Sequence, residues 1–102
     1  MNSTEELPYE LHTHGSGAFV IFNVADQIAL PLLALTRATL RATPAGEKLT
    51  LEFHGVEVAI DGCGLGLVLD HLLAGRVKRV SCARDGACEI TAIRVADPPH
   101  AD

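Results

Sequence analysis

A chain of 102 residues has the length of one domain, and 48% hydrophobic residues supply enough apolar material for one core. The formal net charge of −5 opposes binding to phosphate groups. One tyrosine, three phenylalanines and no tryptophan are too few for a base-stacking platform, so we expect no nucleic acid partner. The most apolar stretch, residues 18–35, is interrupted by polar residues and a proline, so we expect no membrane partner either.

The first ten residues are polar and acidic, unlike the start of a secretory signal. Three cysteines, an odd number, fit reduced thiols better than a disulfide framework. Both features favour a cytoplasmic location. We expect residues 1–8 and 97–102, which are polar and proline-bearing, to be tails around a single domain of residues 9–96.

The N-terminal third of that domain predicts a hairpin and a helix. Residues 9–14 and 18–23 can pair across a Gly-Ser-Gly turn, and residues 24–33 can hold a short helix. In a strand, His12 and His14 would project from one face about 6.5 Å apart and could share a metal ion. Zinc needs three or four ligands, and no further ligand motif accompanies them, so surface histidines beside a turn are the ordinary alternative.

Residues 35–60 predict a three-stranded antiparallel meander because apolar and polar residues alternate along them. A turn at residues 44–47 would set Leu40 opposite Leu51, and a two-residue turn at His54-Gly55 would set Leu51 opposite Val58. The first turn would also pair Ala42 with Leu49 and Ala38 with Phe53 on the same apolar face.

The opposite face of this meander is charged. It carries Arg37 and Arg41 on the first strand, and it sets Glu52 opposite Glu57 on the next two, an unfavourable like-charge pair that the arginines can offset. Exposed charge pairs usually contribute about 0–1 kcal/mol, so a solvated polar face is one interpretation. A charged binding surface is the other.

Apolar residues at helical spacing predict one principal helix over about residues 64–74, with Gly75 suited to a left-handed C-terminal cap. The glycines of residues 61–66 lack both the dinucleotide-binding and the P-loop spacing, so they predict close packing rather than a phosphate site. Cys63, near the start of the helix, has no partner in the sequence that would make it a nucleophile.

Residues 77–95 predict a hairpin whose two strands flank Arg84-Asp85-Gly86, a pattern typical of a three-residue turn. That register places Cys82 opposite Cys88, close enough for a disulfide. The pair is either two small core side chains or a redox or metal-binding pair.

The sequence therefore predicts an α+β fold: an antiparallel sheet of about five to seven strands with one helix on one face. A helix of about 16 Å cannot cover so wide a sheet, so we expect a homodimer. In function we expect a non-enzymatic interaction module that self-associates and needs no cofactor. The alternative is a small redox or zinc protein that uses Cys82 and Cys88 with His12 and His14.

Overall fold

Two β-sheets and one α-helix make up the part of the chain that the computed structural model describes, residues 7–15 and 17–96. The elements in chain order are β1 (Tyr9–Leu11), β2 (Phe19–Asn23), β3 (Gln27–Pro31), a 3-10 turn (Leu32–Ala34), β4 (Leu35–Thr43), β5 (Gly46–Phe53), β6 (Val56–Cys63), α1 (Leu65–Leu73), β7 (Val77–Val80), β8 (Arg84–Asp85) and β9 (Cys88–Ala96). The predicted α+β class is confirmed. The strands are divided between two sheets rather than gathered in one.

The five-stranded sheet is antiparallel, in the order β4-β5-β6-β9-β8. The predicted pairing of β5 with β6 is confirmed, with Leu51 opposite Val58 and Glu52 opposite Glu57. The predicted pairing of β4 with β5 is wrong by two residues, because Leu40 lies opposite Leu49 and the turn is only two residues long. A shift of two keeps every side chain on its face, so the predicted apolar and charged faces are both retained.

The four-stranded sheet has the order β1-β7-β2-β3, and β2 runs parallel to β7. It overturns three predictions. The segments 9–14 and 18–23 do not pair with each other, since β1 and β2 lie on opposite sides of β7. The helix expected within 24–33 is strand β3 followed by the 3-10 turn. The hairpin over 77–95 does not form, because β7 lies in this sheet while β9 pairs with β6 and β8 in the other.

A bulge in β7 allows two valines of this strand to be buried on the same side of the sheet. Val77 and Val80 are three residues apart, so a regular strand would point them to opposite faces. The pairing of β1 with β7 passes from Arg79 to Val77 and skips Lys78, a bulge that lets both valines face inward. Both are fully buried.

One core joins the sheets and the helix. Phe22 on β2 meets Phe53 on β5 edge to face, with ring centroids 6.0 Å apart. The buried side of α1, formed by Leu65, Val68 and Leu72, contacts strands of both sheets. These residues belong to a single apolar cluster, so the two sheets and the helix form one folding unit.

The helix lies within the predicted range because a glycine in the left-handed conformation stands at each end. Gly64 (φ 67°) precedes α1 and Gly75 (φ 74°) follows it. Gly64 has no side chain to cap the helix, and Glu47 of β5 takes that role: its Oε1 accepts the Leu65 amide at 3.0 Å. Pro8, expected in the N-terminal tail, is buried instead, and its carbonyl accepts the Ser81 amide. Leu7 is exposed, and the rest of the expected tails, residues 1–6 and 97–102, lies outside the described residues.

Candidate interaction surfaces

An apolar groove lies between the end of α1 and the 3-10 turn. It has a volume of about 620 Å³ and is lined by Gly17, Ala18, Leu32, Leu33, Leu35, Leu72, Leu73, Ala74 and Gly75. Two leucines on its rim face solvent: Leu33 is 99% exposed and Leu73 is 65% exposed. The groove and the two leucines on its rim form contiguous exposed apolar surface, and such surface marks contact sites more often than scattered single leucines do.

Backbone hydrogen bonds fix the walls of this groove. Strand β3 ends at Pro31, and the next amide, that of Leu32, donates a hydrogen bond to the Ala18 carbonyl at 2.9 Å. On the other wall, the Gly17 amide donates to the Gly75 carbonyl at 3.1 Å. At the end of the 3-10 turn, the His54 amide donates to the Ala34 carbonyl at 2.7 Å. The chain thus presents Leu33 on a turn whose ends are both anchored. Sequence reasoning missed this groove because three segments distant in the chain form it; the adjacent pair Leu32-Leu33 after Pro31 was the only local signal.

The charged surface predicted on the meander forms one shallow polar concavity of about 360 Å³. It contains all four predicted residues, Arg37, Arg41, Glu52 and Glu57, together with Thr39, Lys48 and Thr50. The nearest ion pair joins Arg37 Nη1 to Glu52 Oε2 at 3.9 Å, and both side chains are exposed. This contact is long and solvated, so it contributes little stability.

Two like-charge pairs lie at opposite ends of this polar face. Glu52 is opposite Glu57 at one end, and Arg41 is opposite Lys48 at the other. Like charges directly opposite each other destabilise a sheet. Arg37 offsets the acidic pair, whereas in the described part of the chain no carboxylate lies within 4.0 Å of Arg41 or Lys48. Lys48 does have an acidic cross-strand neighbour, Asp61 on β6, so Arg41 on the outermost strand is the cation with no acidic residue opposite it.

The predicted thiol pair is not formed. Cys88 lies opposite Asp85 in a hairpin with a two-residue turn, and the exposed Cys82 lies before that hairpin, so the predicted opposition of Cys82 and Cys88 is wrong. The cause is the length of the turn, which is Gly86-Ala87 rather than Arg84-Asp85-Gly86. Burial raises the pKa of the Cys88 thiol, and the Asp85 carboxylate raises it further. Cys88 is accordingly held as an inert core thiol.

The two candidate metal ligands lie outside a strand, because β1 ends at Leu11. The His12 ring packs against Gly17, where a β-carbon would overlap it, and His14 is exposed on the loop. Among residues 7–15 and 17–96, no three or more His, Cys, Asp or Glu side chains are placed to hold a metal ion. The geometry of these residues thus gives the metal hypothesis no support.

A third concavity, of about 460 Å³, surrounds Asp61 and the exposed Cys63. Arg94 Nη2 contacts Asp61 Oδ2 at 3.0 Å, and the Thr91 hydroxyl donates to the Asp61 carbonyl at 3.1 Å. The Asp61 carboxylate is thus engaged by Arg94, and no histidine is among the described residues that line the cavity, so no cysteine–histidine pair is formed there.

Within the described ranges, no helix is long and apolar enough to cross a membrane. Comparison of the chain with protein-family models, curated proteins and solved structures gives no match.

Proposed function

We propose that this protein is a non-enzymatic interaction module that self-associates through the apolar groove. The observation that carries the proposal is Leu33, fully exposed on an anchored turn at the rim of the groove. A projecting side chain beside a recess is self-complementary under a two-fold axis, since each copy can insert its Leu33 into the groove of the other. Complete burial of a leucine contributes about 1.5–3 kcal/mol, and the two-fold axis doubles that contribution.

The edge of β4 is a less suitable dimer contact. If two copies paired their β4 strands antiparallel over the full length of residues 35–43, Arg37 of one copy would lie opposite Arg41 of the other. By symmetry, Arg41 of the first copy would also lie opposite Arg37 of the second. The contact would thus bring four arginines together, and their repulsion disfavours it. The apolar groove carries no such penalty, because no charged residue lines it.

Light scattering coupled to size exclusion at high micromolar concentration tests the proposal. We expect twice the mass of one chain for the natural sequence and a shift toward monomer for Leu33→Ser and Leu73→Ser. Leu67→Ser is the matched control, since Leu67 is an exposed leucine on the same helix that does not line the groove. A natural protein that stays monomeric, or equal weakening by Leu67→Ser, would contradict the proposal.

A further inference from the structure

The outer edge of β4 is unpaired within the described residues and could pair with another strand. Within the described chain β4 pairs only with β5, so its other edge presents unpaired backbone amides and carbonyls. The pairing with β5 is irregular between Leu35 and Arg37, and Thr36 there donates its hydroxyl to the Glu52 carbonyl. Beyond this bulge, residues 37–43 run regularly to the turn. They form the longest regular edge in either sheet.

The two sides of this edge differ in chemistry. On the polar side stand Arg37, 71% exposed, and Arg41, whose cross-strand neighbour is the cation Lys48. On the other side Leu40 is 38% exposed and lies next to Gly66 of α1, where a β-carbon would sit 3.8 Å from its Cδ2. An added strand would cover Leu40 with its apolar side and meet two cations with its polar side.

Two arginines four residues apart also select the charge of the occupant. A second β4 strand is disfavoured because arginines would face arginines. A strand with carboxylates at two positions four apart would set one carboxylate opposite Arg41 and the other opposite Arg37. It would also set a carboxylate beside Arg41, which has no acidic residue opposite it on β5.

We propose that residues 37–43 of β4 bind an extended segment of a partner protein by strand addition. The segment has acidic residues at positions i and i+4 and apolar residues at i+1 and i+3. Main-chain hydrogen bonds supply the general affinity, and the alternate side chains supply the selectivity. This surface is separate from the apolar groove, which reaches β4 only at Leu35, so the inference does not depend on self-association.

A labelled peptide with the central sequence Glu-Val-Thr-Val-Glu tests the inference by fluorescence anisotropy. Its pattern is the same in both directions, so parallel and antiparallel addition are tested together. We expect saturable binding that weakens as ionic strength rises. We also expect weaker binding by the same peptide with Lys in place of Glu, and loss of binding when the five central amides are N-methylated, since these cannot pair with the β4 edge. Equal binding of the acidic and basic peptides, or binding that survives N-methylation, would overturn strand addition.

Charge reversal on the protein completes the test. Arg41→Glu is expected to weaken the acidic peptide about fivefold and to strengthen the basic peptide by a similar factor, as a change of about 1 kcal/mol per exposed pair implies. A general loss of structure cannot exchange the preference in this way. Arg84→Glu, the same change on the exposed strand β8, is the control and should leave both affinities unchanged. Absence of binding by the natural protein, or the same effect from Arg84→Glu, would refute the inference even where light scattering shows a dimer.

Discussion

The contact between Phe22 and Phe53 is the most direct test of the architecture, because it joins the two sheets. Phe22 is on β2 and Phe53 on β5, both are buried, and their rings meet edge to face at 6.0 Å. Neither sequence position suggests the other as a partner. A double-mutant cycle with leucine at each position measures the energy of this contact without emptying the core.

The expected magnitudes follow from burial and ring geometry. Each Phe→Leu change removes roughly two methylene equivalents from the core, or about 1–2 kcal/mol of the free energy of unfolding. An edge-to-face pair contributes about 0.5–1.5 kcal/mol beyond its area. The double variant should therefore be less destabilised than the sum of the two single variants by about 0.5–1.5 kcal/mol. An ordinary domain has a free energy of unfolding of about 5–15 kcal/mol, so a variant that loses this much stability should still fold.

Urea denaturation followed by circular dichroism provides the measurement. Phe19→Leu is the matched control, because Phe19 lies on β2 and pairs with β3 as Phe22 does, but is 53% exposed. We expect a change within about 0.5 kcal/mol for it. Additivity of the two core variants within about 0.3 kcal/mol would show that the rings do not interact, and the packing of one sheet on the other would then be wrong.

Further predictions concern single positions. In the native protein, Cys63 and Cys82 should react with a thiol reagent and Cys88 only after unfolding, and mass mapping after mild oxidation should find no link between Cys82 and Cys88. Because the pKa of Cys88 is raised on folding, the folded state holds its proton longer than the unfolded state. Unfolding free energy should thus fall as pH rises above the ordinary thiol value of 9.0, and Cys88→Ala should remove that part of the slope. Glu57→Lys should be neutral or stabilising by about 0.2–1 kcal/mol in thermal melts, since it relieves a like-charge pair. Gly64→Ala should lower the melting temperature strongly, because a β-carbon there would overlap the Ala87 carbonyl at a positive φ, whereas Gly55→Ala, with positive φ but open space, should cost less.

The meander could be predicted from the sequence because its signals are local. Alternating side chains determine the two faces of β4, β5 and β6, and glycine at position 55 indicates the second turn. The first turn was mispredicted by two residues because Pro44-Ala45 carries no glycine inside the turn, and Gly46 instead begins β5 at φ 146°. Side chains on a strand alternate between the two faces of the sheet. A register error of two residues therefore leaves each side chain on its predicted face but changes its cross-strand partner.

The place of β7 could not be predicted because it depends on contacts distant in the chain. Its partners β1 and β2 lie more than fifty residues earlier, and its own four residues show no alternation. The local signal at residues 84–86 instead favoured a hairpin between neighbours. The same limit applies to the apolar groove, since Ala18, Leu33 and Leu73 come from three separate parts of the chain. The charged face, by contrast, lies wholly within the meander, so alternation alone predicts that Arg37, Arg41, Glu52 and Glu57 share it, although the register error hid the pairing of Arg41 with Lys48.

The two proposed surfaces meet on β4, and the alternation of that strand keeps them apart. Leu35 and Leu40 lie on the side of α1, while Arg37 and Arg41 face the opposite side. A dimer that buries the groove would leave the arginines in solvent, and the same arginines oppose pairing of β4 with its own copy. Under the two proposals, their charge has two effects at one edge: it discourages pairing of β4 with its own copy, and it favours an acidic strand as the partner that pairs there.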